Sequence, residues 1–489
     1  MNDRKPVHMD KVGAALPAQK APTAAGPGVR QEPGRKPWRV RPWGQAADPW
    51  VLAAALFCLY AALSLSRYRR METLSWDLGI FEQAVKSYAH LRAPVADLKG
   101  PGADVLGDHF SPITALIAPF YRVFPTPVTL LAAQAVLFTV SAVPVTRAAG
   151  RALGRAKGLA IGVAYGLSWG VQRAVDFDFH EIAFAMPLLA FCLEAVLLGK
   201  WAAAMGWAVP LVLVKEDMGA TVTMIALVVL LRSRHAPGHR AYALALAAFG
   251  VGASAWEVRW LIPYFHGPGY DPLAHIDGDG SLTGHIPALT ALRTLLWVLL
   301  PAGGLLALRS PLLLAAVPTL GWRFYSRYPE NWGTAWHYSA VLMPVVFLAL
   351  VDALARAGRA SAPLRAFAAA APAAAAGAAL ALCAQLPAAG LTHRAAYGVD
   401  ARTRAVDRML DRVPDGATVE SDVGPISRLV RRTTVYWIGD THGVVPQYIA
   451  LADGSGWLPD PVGAARRLHP GARYAVLARG GGGLVLRRL

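Results

Sequence analysis

Between residues 50 and 387 the chain is a succession of long apolar segments separated by short connections, many of which carry arginine. About 20 apolar residues are what a helix needs to cross the hydrocarbon core of a bilayer, and a series of such segments points to a helical membrane bundle. Composition agrees, with 55% of residues hydrophobic and 16% charged, against about 25% charged in ordinary soluble domains. Candidate spans lie at 50–66, 127–146, 158–174, 182–199, 202–214, 217–231, 240–258, 287–307, 311–324, 337–354 and 364–387, about eleven in all.

Orientation follows from the basic residues. Residues 1–48 are basic and rich in Pro and Gly, without an apolar stretch, which predicts a disordered cytoplasmic tail and a first span running outward. Alternation then places Arg147, Arg151, Arg155 and Lys157 inside, followed by Lys200, by Arg232, Arg234 and Arg240, by Arg309, and by Arg356, Arg359 and Arg365. The net charge of +17 is thus topological, and the chain is not expected to bind nucleic acid. Cys58, Cys192 and Cys383 each sit inside an apolar run, leaving no disulfide framework or paired-cysteine metal knuckle.

Three parts are expected in a multi-pass protein of the cell membrane: the cytoplasmic tail over 1–48, a transmembrane helical domain over 49–389 with a long first outer loop at 67–126, and an extracytoplasmic soluble α/β domain over 390–489. Two stretches of the first loop, FEQAVKSYAHL and PITALIAPFYRVF, have apolar residues at helical spacing, Phe81, Val85 and Tyr88 in one and Ile113, Leu116, Ile117, Phe120 and Phe124 in the other. Both are read as helices lying at the membrane surface. After residue 390 a helical RTRAVDRMLDRV precedes five short strand candidates: ATVESD, TTVYWIG, PQYIALAD, YAVLARG and GLVLRRL.

The unusual polar residues fall in the outer connections. Asp77 and Glu82 in SWDLGIFEQ, with Asp108 and His109 in GDHF, are candidate catalytic groups, since a carboxylate at a membrane surface can serve as a general base. Asp77 stands out because it lies between Trp76 and an apolar helix. Asp178, His180 and Glu181 in DFDFHE have the ligand types of a Mg²⁺ or Mn²⁺ site, although their spacing matches a hydrogen-bonded helix connection as well. Lys215, Glu216 and Asp217 interrupt an apolar run from 202 to 231. Charges at such a depth mark a substrate-binding site, Lys215 being suited to phosphate, unless they simply pair across a tight turn. In GWRFYSRYPENWGTAWHY, Arg323 and Arg327 are candidates for phosphate, Trp332 and Trp336 for stacking on a sugar, and His337, entering the next helix, is a further substrate-binding candidate. An aromatic belt with snorkelling arginines would give much the same composition. The run HIDGDG at 275–280 has too few ligands for a calcium loop.

In WDLGIFEQ, in GDHFSPI followed by LLAAQA, in DFHEIAFAMPLL, in the KED triplet and in WHYSAVLMP, the chain resembles the membrane-protein family called domain of unknown function 2079, over about residues 50 to 480. That family in turn resembles the GT-C superfamily of membrane glycosyltransferases. The resemblance implies a GT-C-like polytopic α-helical fold followed by the α/β domain. It also implies partners in a membrane lipid, a polyprenyl-phosphate-linked sugar and an extracytoplasmic acceptor. The resemblance further implies that Asp77, which matches the position of the superfamily's catalytic aspartate, deprotonates the acceptor hydroxyl while cationic groups, for which Lys215 and Arg323 are the candidates, neutralise the leaving phosphate. The first loop departs from the superfamily in lacking the acidic pair of the mannosyltransferases. A transporter or lipid flippase using the KED triplet as a relay, and a non-catalytic assembly protein, are the competing readings; no internal repeat of the transporter kind is visible.

Overall fold

A computed structural model of the chain describes residues 47–233, 237–271 and 286–489. The predicted tail up to residue 46, Arg234 and the HIDGDG run lie outside the described residues.

Two helices make the centre of the bundle. Pro127–Leu153 starts with proline in its first turn and with the Thr126 side chain accepting from the Val128 amide, a favourable combination for a helix start. It is the most buried of the candidate spans, with 61% of its apolar window inside the protein. Leu342–Arg356 is buried from Leu342 to Leu354. Asp48–Arg69, Arg155–Gly166, Ala185–Leu197 and Leu342–Arg356 pack on the first of these, and Met218–Arg232 packs on Pro237–Trp256. The last pair crosses closely where Gly219 faces Gly250, so close that a Cβ on Gly219 would lie 2.3 Å from the Gly250 carbonyl.

Four described helices are long and apolar enough to cross a bilayer: Asp48–Arg69, Pro127–Leu153, Gly238–His266 and Ala362–Cys383. Pro329–Ser339 and Leu342–Arg356, bent by 68°, would make a fifth as one broken span, and Trp201–Leu213, Met218–Arg232 and Ala288–Leu299 are shorter apolar helices. Continuous helices therefore do not reproduce the expected eleven. The segment expected at 158–174 divides into Arg155–Gly166 and Trp169–Asp176. That at 287–307 stops near Leu299 and restarts after Gly303, whose φ of 110° suits glycine. That at 311–324 opens as a tight turn at Pro311 before becoming the helix Val317–Tyr325.

The helices share a polarity. At one end lie buried acids with arginine partners: Glu194 with Arg147 and Arg151, and Asp352 with Arg232 and Arg356. Such pairing offsets the cost of burying the carboxylates. Following each helix from its arginine leads to the other end, where the connections bearing Asp77, His180, Lys215 and His337 lie.

The C-terminal segment forms a five-stranded sheet in the order β2-β1-β3-β5-β4, with β1 Thr418–Ser421, β2 Thr434–Trp437, β3 Tyr448–Leu451, β4 Tyr474–Gly480 and β5 Gly483–Arg488. All five strand candidates are strands. The β1 strand is parallel to both β2 and β3, while β5 runs antiparallel to β3 and β4. Helix Val423–Leu429 makes the crossover from β1 to β2, as parallel pairing requires.

The helix Asp77–Ala89 corrects one expectation. It does not lie on a membrane surface: every residue from Leu78 to Val85 is buried. Phe81 meets Phe179 edge-on at 5.4 Å, whereas Ile80 and Ala84 enter a core with Val406, Ile426 and Val435. Gln83 donates to the Val435 carbonyl at 2.9 Å and accepts from the Leu98 amide at 3.1 Å. The small sheet supplies the apolar partner expected of lipid. The segment 112–124 does present an apolar surface, with Leu116, Phe120, Val123 and Phe124 exposed and Ile113, Ile117 and Tyr121 buried, as an interfacial element would.

Candidate functional site

Asp77 opens its helix, where the unpaired amides of the first turn favour a negative charge. Ser75 donates to its Oδ2 at 2.5 Å, and Nε2 of His180 lies 3.4 Å from the same oxygen. The carboxylate keeps 28% exposure while the imidazole is almost wholly buried. Burial works to raise the Asp77 pKa, but His180, Ser75 and Lys99 together outweigh it and hold the carboxyl below its ordinary value. Burial likewise opposes a charge on His180, and the carboxylates of Asp77 and Glu181 prevail, raising that imidazole. The result is an ionised acid beside a ring that favours its protonated form.

The local chain explains how His180 arrives there. Asp178 has a φ of 63°, a left-handed conformation that Asp tolerates better than most residues. It lies between the helix Trp169–Asp176 and the turn at Glu181–Phe184. Gln134, on the central helix, accepts from the His180 amide at 3.2 Å. Behind His180 the ring of His337 stacks at 3.8 Å, and Phe177 stacks on both imidazoles.

The KED triplet approaches from another connection. Lys215 Nζ lies 3.4 Å from Glu181; burial disfavours its charge, but Glu181, Glu216 and Asp217 overcome that and raise its pKa. Glu216 accepts from the Phe110 amide at 3.2 Å and is 2.8 Å from Nδ1 of His109, so GDHF of the first loop is fastened to the triplet. Against burial, His109 and Lys215 bring Glu216 down to about 2, whereas burial pushes Asp217 up to about 6. Lys215, Asp217, Glu181, Thr319, Trp322, His337 and Tyr338 line a cleft. On the other side of Asp77, Trp76 meets Trp437 at the end of β2 edge-on at 4.9 Å, and Lys99 lies over Trp76 while pairing with Asp108 at 3.0 Å.

Most of the residues singled out in the sequence thus come together, and several do not. Glu82 lies five residues beyond Asp77, about 140° round the helix. It is fully buried and accepts from Tyr121 at 2.8 Å. Asp178, His180 and Glu181 do not converge as metal ligands: His180 faces Asp77, Glu181 faces Lys215, and Oδ2 of Asp178 is buried without a partner. Among the described residues no three His, Cys, Asp or Glu side chains are grouped to hold a metal ion. Arg323 is not available for phosphate. It is wholly buried and donates to the carbonyls of Asn331 and Gly333 at 2.8 and 2.6 Å and to Ser339 at 3.1 Å, bracing the chain that carries His337. Trp336 packs on Phe177 at 4.6 Å, and Arg327 is not among the residues lining the cleft. Sequence reasoning passed over Trp322 and Tyr338, which stand in the same aromatic run as Arg323 and His337; the density of that run was their only signal.

The chain is similar in fold to ArnT from Cupriavidus metallidurans. With the structure bound to undecaprenyl phosphate the TM-score is 0.55 at 15% identity, covering 90% of this chain and 98% of that one. With the apo structure the TM-score is 0.53 at 14% identity over the same shares. The expected fold is thus shared with ArnT. No curated protein matches the sequence. The family described as "Predicted membrane protein (DUF2079)" matches residues 67–422, and the chain belongs to that family.

Proposed function

We propose that the protein is a membrane glycosyltransferase that moves a sugar from a polyprenyl-phosphate donor to an acceptor on the outer face of the cell membrane. The observation that carries this reading is that an ionised, partly exposed Asp77 and the cation of Lys215 lie at the same end of the bundle. The two are linked through His180, Glu181 and His337. The undecaprenyl phosphate bound to ArnT, a protein of similar fold, supports a lipid phosphate as the donor's carrier.

In the proposed reaction the acceptor hydroxyl gives its proton to Asp77 as its oxygen attacks the anomeric carbon. The bond from that carbon to the phosphate oxygen breaks, and the electron pair leaves with the lipid phosphate, whose growing charge Lys215 stabilises. A single displacement of this kind inverts the anomeric centre. His180 holds the carboxylate ionised and oriented.

The outward orientation rests on the basic residues at the arginine ends of the helices, which the positive-inside rule assigns to the cytoplasm. It places the site and the C-terminal sheet outside.

The test is label transfer from a panel of radiolabelled polyprenyl-phosphate sugars in membranes holding the wild type or Asp77→Asn at equal protein level. Transfer by the wild type that disappears in Asp77→Asn is expected. A wild type that transfers nothing, yet moves labelled lipid across vesicles, would replace this reading with a flippase.

A further inference from the structure

Three of the residues that line the cleft beside Lys215 each carry a polar atom shut off from solvent and without a hydrogen-bond partner: Oδ1 of Asp217, Nε1 of Trp322 and Nδ1 of His337. Buried polar atoms are nearly always paired, and three orphans around one cleft call for a ligand or water that pairs them. Their chemistry narrows the choice. The ionised Asp217 carboxylate only accepts, the Trp322 indole N–H only donates, and the His337 ring nitrogen does either according to its tautomer.

A phosphate offers acceptors alone, so it would satisfy Trp322 while facing the like charge of Asp217. A cation would satisfy Asp217 while leaving the indole N–H unpaired. A hydroxyl both donates and accepts, and a ring bearing several of them can meet all three atoms at once. The rings of Trp322 and Tyr338 on the same walls suit the apolar C–H face that a sugar also presents. Arg323 keeps this wall in place, gripping the segment 331–339 and lying 5.9 Å from the centre of the Tyr338 ring.

We infer that this cleft receives the sugar of the lipid-linked donor, with Asp217, Trp322 and His337 pairing with its hydroxyls while the neighbouring Lys215 meets its phosphate. The inference rests on the transferase reading for the identity of the donor. It adds that sugar selectivity resides in Asp217 and Trp322 rather than in the base.

Ordered water also donates and accepts, so the experiment must separate a sugar site from a hydrated cavity. Purified full-length chain in lipid nanodiscs is titrated with polyprenyl phosphate lacking a sugar and with polyprenyl-phosphate hexoses and pentoses. The wild type should bind at least one of the sugar-bearing lipids about tenfold more tightly than the bare lipid, the worth of a hydrogen bond or two in a buried site. Asp217→Asn and Trp322→Phe should each erase most of that preference without a matching loss of affinity for the bare lipid. A wild type without preference for any sugar, or variants that weaken both kinds of lipid equally, would overturn the inference. The transferase reading fails separately: a sugar preference abolished by Trp322→Phe, in a protein that transfers nothing, supports the sugar site and removes the transferase reading.

Discussion

Replacing Gly79 with alanine tests how the candidate base is held. Gly79 lies two residues beyond Asp77, where a Cβ would be 2.2 Å from Cγ2 of Ile426 and 2.8 Å from Cδ1 of Leu98. Carbon atoms pack at about 3.5–4.0 Å, so Ile426 would have to retreat by more than an ångström. It has nowhere to go, being 2% exposed in the core shared by the Asp77–Ala89 helix and the C-terminal sheet. Overpacking costs about 1–3 kcal/mol, and this overlap belongs near the top of that range. Alanine recovers about 1 kcal/mol of helix propensity, which leaves a net loss of about 1–2 kcal/mol. Ile426→Ala alone removes buried methyl groups and should cost about 2–5 kcal/mol. The double variant places the new methyl in the vacated space, so its loss should fall short of the sum by about 1–2 kcal/mol. Thermal unfolding of the purified chain, with protease cleavage in 401–488 as the local readout, measures the cycle. Strictly additive losses would refute the claim that Gly79 is kept small by Ile426. Gly79→Ala should also slow transfer while Asp77 is intact, because an ångström of misplacement at a reacting group can cost about 100-fold.

Asp77→Asn should lower transfer by about 10²–10⁴-fold without changing the thermal midpoint by more than a few degrees; an active variant in the label assay would remove Asp77 as base. His180→Phe takes away the strongest influence opposing the burial of Asp77, so the base keeps its proton to higher pH and the acidic limb of the kcat/KM profile should move upward. An unmoved limb would mean that the pair does not interact. Burial pushes the Glu82 carboxyl up to about 8, against an ordinary 4.5. Between those values the folded chain keeps a proton that the unfolded chain gives up, so stability falls as pH rises through the window. Glu82→Gln should flatten that fall, seen as a higher melting temperature than the wild type at pH 9 and little difference at pH 5. Lys215→Gln should weaken binding of bare polyprenyl phosphate in the nanodisc titration, and undiminished affinity would separate Lys215 from the lipid phosphate.

What could be read in the chain and what could not divide along a physical line. The helical bundle and the five strands were legible because each is a local pattern: an apolar run of membrane length, or a short β-branched and aromatic stretch between turn residues. The KED triplet stood out for the same reason, as charge inside an apolar run. Roles that depend on a distant partner were not legible. Phe81, Val85 and Tyr88 gave their helix an apolar face, but the sequence does not say whether lipid or protein covers it, and here the covering sheet begins more than three hundred residues later. Arg323 has the residue type for phosphate, yet its donors are taken by two carbonyls and a serine that no motif announces. Asp178, His180 and Glu181 look like a ligand set because they are neighbours in the chain. The left-handed turn at Asp178 and the tight turn after His180 send successive side chains to different partners, so adjacency in sequence becomes divergence in space. Trp322 is the converse: its distinguishing property is a hydrogen bond that it does not make, and only the placement of every neighbouring acceptor brings that to light. The proposed base was therefore the easier half of the candidate site to find, since Asp77 is conspicuous where it stands, whereas the proposed sugar contacts become visible only as unpaired atoms on residues around a cleft.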